Sequence, residues 1–91
     1  MKFQVKKIEN CFADSETYEY LLPVTGEAFL SFLQGWEVRV NRKLRRPVGI
    51  ACREAVTIKC TLAGSAFRVS FPQNNWAAEK LEFEQFLENL L

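Results

Sequence analysis

The chain has 91 residues, 48% hydrophobic and 25% charged, the make-up of one globular domain rather than of a disordered segment. Twelve basic residues against eleven acidic leave a formal charge of +1, so a uniformly basic or acidic protein is excluded and only the local distribution of charge matters. Histidine is absent, which removes the commonest general base and the commonest metal ligand.

Residues 2–8 alternate, with Phe3 and Val5 on one side and Lys2, Gln4 and Lys6 on the other, and the period of two predicts a half-buried strand. Residues 10–16 carry Asn10, Asp14 and Ser15 and are expected to form a loop. Residues 17–22 alternate again, with Tyr18, Tyr20 and Leu22 together, and Pro23 closes this second strand. The two strands are expected to pair as a hairpin.

Thr25 is a helix N-cap, and Glu27 in the first turn suits the positive end of the helix dipole. Ala28, Phe29, Phe32 and Leu33 share one face of a helix over 25–34, and Gly35 stops it. The Phe29, Phe32 and Leu33 stripe is expected in the core. Leu22-Pro23-Val24-Thr25-Gly26 matches the L-P-x-T-G sorting pattern of sortase substrates, but it leads into an amphipathic helix instead of an apolar span. Its residues have a simpler role: Pro23 ends a strand and Thr25 caps a helix.

Trp36, Val38 and Val40 alternate with Glu37, Arg39 and Asn41 in a further strand. Residues 42–49 form a turn or loop marked by Pro47 and Gly49; an extended piece over 48–52 is weakened by Gly49. From Glu54, Val56, Ile58, Cys60 and Leu62 alternate with Thr57, Lys59 and Thr61, and after Ala63-Gly64-Ser65 the pattern resumes with Phe67, Val69 and Phe71. Parity limits the register of this hairpin. Its apolar positions are even on one strand and odd on the next, so facing numbers must sum to an odd value. A sum of 127 sets Lys59 opposite Arg68 with a two-residue turn; a sum of 129 pairs Leu62 with Phe67. Pro72 ends the sheet, and Asn74 or Asn75 caps a final helix running to about Leu91. Trp76, Phe83, Phe86, Leu87, Leu90 and Leu91 form its apolar stripe, with Leu81 outside it and Glu79 within it.

The expected fold is α+β: a single two-layer domain over 1–91, its elements in the order β-β-α-β-β-β-α, with both helices on one face of an antiparallel sheet and the other face polar.

Charge is segregated along the chain. Residues 36–68 hold eight basic side chains against two acidic, whereas residues 1–35 net −2 and residues 69–91 net −3. Alternation sends Arg39, Lys59 and Arg68 to the polar face, with Arg42, Lys43, Arg45 and Arg46 in the loop at its edge. Five of these seven are arginine, which forks onto phosphate. They are the candidate nucleic-acid contacts, directed at the phosphate backbone because the aromatics fall on core faces and leave only Tyr18 or Tyr20 for base stacking. The alternative is a protein-interaction module without a nucleic-acid role. It would meet an acidic protein partner or associate with itself, basic face to acidic helix or edge to edge.

No catalytic residue, metal site or cofactor is expected. The serines have no histidine to activate them, and no glycine-rich phosphate loop exists. Cys11, Cys52 and Cys60 lack C-x-x-C spacing and are read as reduced structural thiols, with Cys52 beside Arg53 the one candidate for reactivity. The N-terminus lacks the apolar run of a signal peptide, and no stretch approaches a membrane span, so a soluble cytoplasmic chain is expected.

Overall fold

The computed structural model describes residues 3–8, 15–43 and 45–90. Six strands, β1 (Gln4–Ile8), β2 (Ser15–Leu21), β3 (Glu37–Asn41), β4 (Val48–Arg53), β5 (Val56–Thr61) and β6 (Ala66–Pro72), are joined by α1 (Gly26–Phe32) and followed by α2 (Trp76–Leu90). They form one sheet in the order β1-β2-β6-β5-β4-β3, with every neighbouring pair antiparallel. The fold is α+β as expected, with one strand more than the sequence pattern counted.

The extra strand is β4, and Gly49 explains both its presence and its weak signal. A Cβ at position 49 would overlap Leu30 Cδ1, so the missing side chain lets α1 lie close on the sheet. Glu54 and Ala55, expected to begin β5, are instead the turn from β4 to β5, with Glu54 at φ 54°.

The N-terminal hairpin pairs as expected, with Val5 opposite Tyr20, but β2 begins earlier than the alternation predicts, because Ser15 and Glu16, expected in the loop, pair with Pro72 and Phe71 of β6. The connection over 9–14 lies outside the described residues. Hairpin β5–β6 takes the 127 register, with Lys59 opposite Arg68 and Cys60 opposite Phe67. Its connection is wider than two residues because its polar groups serve the neighbouring α1 entry. Gly26 N–H donates to Gly64 O at 2.8 Å, Glu27 N–H to Leu62 O at 3.0 Å, and Leu22 N–H to Ser65 O at 3.0 Å.

Thr25 caps α1 as expected, accepting from Ala28 N–H at 3.3 Å. The stripe assigned to this helix is partly wrong. Phe29 and Leu30 are buried, while Phe32 is 46% exposed, because the helix ends at Phe32 and the chain leaves it in extended conformation at Leu33. A 3-10 turn over Gln73–Asn75 leads directly into α2, and the Asn75 side chain donates to Glu79 Oε1.

The core lies between the sheet and the helices. Phe83 of α2 meets Tyr20, Phe71 and Trp36 edge-on, and Phe29 of α1 meets Phe67 with ring centres 4.9 Å apart. Tyr18 and Tyr20 both belong to this core, so neither is spare for base stacking. The Tyr20 hydroxyl donates to Glu84 Oε2 at 2.9 Å, and Lys80 bridges Glu84 at 2.6 Å while lying over the Tyr18 ring. Burial first, and then the Glu84 carboxylate, pushes the Tyr20 hydroxyl well above the ordinary tyrosine range.

Candidate nucleic-acid interface

The strand registers place the expected basic residues on the face away from the helices. Arg39 lies opposite Ile50, Ile50 opposite Lys59, Lys59 opposite Arg68, Arg68 opposite Glu19, and Glu19 opposite Lys6. These six residues form one row across all six strands, and Lys59 and Arg68 are immediate neighbours within it. Like charges facing across strands cost some tenths of a kcal/mol, roughly, unless an anion lies between them.

The face is less uniformly basic than the one-dimensional pattern implies. Glu37 shares it two residues before Arg39, and their side chains bond at 2.8 Å. Glu19 approaches Arg68 at 4.0 Å. Both arginines are exposed, though Glu19 is half-buried, and pairs this open to solvent hold their arginines loosely. Alternation alone places Glu37 beside Arg39. Seeing Glu19 beside Arg68 requires the β2–β6 pairing, which joins residues far apart in sequence. The face also carries apolar side chains where a polar surface was expected. Ile50 is 37% exposed and Leu21 44% exposed, and Val48 and Ile50 line a shallow groove with Lys59 and Arg68. Among the described residues this face bears no aromatic side chain.

The four loop cations separate into two groups. Arg42 reaches Glu27 at the start of α1, at 3.8 Å. Lys43, Arg45 and Arg46 are exposed, and none of them has a carboxylate within salt-bridge distance among the described residues; the same holds for Lys59. Three carboxylates of α2 are engaged by groups other than the cations of this face. Glu82 takes Arg53 at 3.6 Å, Glu84 takes Lys80, and Glu79 accepts from Asn75.

Two of the three thiols, Cys52 and Cys60, lie among the described residues, and both are free. Arg53 lies on the helix side, 4.9 Å above the Trp36 ring, whereas Cys52 points to the open face toward Thr57. The guanidinium that made Cys52 the one candidate for reactivity is therefore on the opposite side of the sheet. Cys60 is a buried free thiol, and burial pushes it above the ordinary range. Cys11 lies outside the described residues. Among the described residues no cluster of acidic or cysteine side chains could hold a metal ion, and no helix is long and apolar enough to cross a membrane. The L-P-x-T-G stretch is structural: Leu22 is buried, Thr25 caps α1, and a Cβ at Gly26 would overlap the Thr61 carbonyl oxygen.

No protein-family model, curated protein or solved structure matches this chain.

Proposed function

We propose that the protein is a small non-enzymatic nucleic-acid-binding domain that holds the phosphate backbone on its open sheet face and the adjoining 42–46 loop. The observation that carries this reading is the cross-strand row, in which Lys59 and Arg68 stand directly opposite each other with Arg39 two strands away. Lys59, Lys43, Arg45 and Arg46 are the primary contacts, because among the described residues they have no carboxylate partner to surrender. Arg39, Arg42 and Arg68 are themselves exposed and exchange weak ion pairs for phosphate. With no aromatic side chain on the face among the described residues, recognition follows charge and backbone shape in preference to base stacking.

Fluorescence anisotropy with labelled single- and double-stranded DNA and RNA over a salt series tests this reading. Several neutralised phosphates give a log–log salt slope of roughly −3 to −5, at about 0.9 per phosphate on duplex DNA. Replacing Arg42, Lys43, Arg45 and Arg46 by alanine flattens that slope, and the Lys59→Ala/Arg68→Ala pair lowers it by about 2. Absence of binding at low salt would reject the reading and move the search to acidic protein surfaces.

A further inference from the structure

Strand β3 is one of the two sheet edges, and its hydrogen-bonding direction follows from the neighbouring turn. Arg53 and Val56 close the two-residue turn between β4 and β5 and face each other in the ladder. The turn hydrogen bond makes them a bonded pair. Bonded pairs alternate along an antiparallel ladder, so Ala51 and Gly49 also direct their backbone groups to β5. Cys52, Ile50 and Val48 then direct theirs to β3, where their partners are Glu37, Arg39 and Asn41. The N–H and C=O groups of Val38 and Val40 are left pointing out of the sheet.

The side chains of this edge suit a second strand. Val38 and Val40 lie on the helix side, yet they are 37% and 43% exposed. Glu37 and Arg39 lie side by side on the open face, with side chains 65% and 81% exposed. The strand holds no proline or lysine and no net charge, so it lacks the devices that keep edges apart.

We propose that β3 pairs antiparallel with β3 of a second copy of this chain, about a two-fold axis at Val38. Register and charge select this arrangement. Val38 forms a bonded pair with its own equivalent, and both copies keep their valines on the helix side. Glu37 then lies opposite Arg39 of the second copy, twice by symmetry, in the non-bonded positions where side chains approach most closely. Shifting the register by one residue sends the valines to opposite faces. Setting Val38 opposite Val40 brings Arg39 against Arg39. Glu37-Val38-Arg39 is thus self-complementary only about Val38. The product is one continuous twelve-stranded sheet, with both basic faces on the same side and the exposed valines of the two copies brought together.

Sedimentation velocity of the full chain over a concentration series tests the proposal. The wild type moves from its monomer mass of 10.5 kDa toward twice that value as concentration rises. Glu37→Arg and Arg39→Glu each convert two attractive contacts to repulsive ones and weaken association by about tenfold or more. The double variant Glu37→Arg/Arg39→Glu restores the complementarity and returns association to about the wild-type level. Both side chains are exposed, so the fold is retained, and rescue by the double variant excludes a folding defect. The proposal is overturned by a wild type that stays monomeric at its highest soluble concentration. It is equally overturned by a dimer indifferent to the single swaps, or by a double variant as weak as they are.

Discussion

The two edges of the sheet are built on opposite principles. Strand β1 carries Lys6 and Lys7 without an acidic residue, so two copies of it repel, and Lys7 bridges Glu16 of β2 at 3.3 Å. Its apolar side is finished, with Phe3 buried and Val5 packed against the core. Strand β3 is exposed at all five positions, electrically balanced, and bare on its valine side. Helix length accounts for the contrast. The seven residues of α1 span about 10 Å, or roughly two interstrand spacings, and the helix packs on β4 and β5. The fifteen residues of α2 span about 22 Å and lie against β6 and the tyrosines of β2. A short helix thus leaves one edge unfinished, and unfinished edges are where sheets acquire partners.

Truncation on the two sides should separate them most sharply. Phe83→Ala removes the ring that joins Tyr20, Phe71, Trp36 and Phe86, and should cost about 3–5 kcal/mol in urea unfolding. Gly49→Ala forces Leu30 off the sheet and should cost about 1–3 kcal/mol through overpacking under α1. Tyr20→Phe removes the hydrogen bond to Glu84 at a cost of about 1 kcal/mol, measured the same way. This last variant also has a pH signature. The folded state holds the Tyr20 proton more tightly than the unfolded chain, whose tyrosine ionises near the ordinary 10.0. Above that pH the unfolded state binds fewer protons, so wild-type stability falls as pH climbs, and Tyr20→Phe should flatten the fall. Val40→Ala, at the bare edge, should change stability of dilute protein by less than about 0.5 kcal/mol. A loss comparable to that of Phe83→Ala would mean that the β3 edge is packed and the contrast is false.

Features of the molecule that depend on neighbours in sequence were readable from the chain alone. The Thr25 cap, the α2 stripe and the outward side of Leu81 follow from helical period, and parity narrowed the β5–β6 hairpin to two registers, one of them found. Features set by distant contacts were not. Gly49 looks like a strand breaker until Leu30 is placed above it. The carboxylate beside Arg68 comes from Glu19, 49 positions away, through the pairing of β2 with β6. Phe32 fits an apolar stripe, but its exposure depends on where α1 stops over the sheet. Of the candidate site, alternation located Arg39, Lys59 and Arg68 on one face. It did not show that two of them already face carboxylates while Lys59, among the described residues, faces none.

Backbone amide exchange read residue by residue, in dilute and in concentrated protein, tests the contrast between the edges most directly. The Val38 N–H should exchange fast in dilute solution and slow as concentration rises, with β1 unchanged at both concentrations. Equal rates at both concentrations, or slowing confined to β1, would contradict the assignment of β3 as the edge that takes a partner.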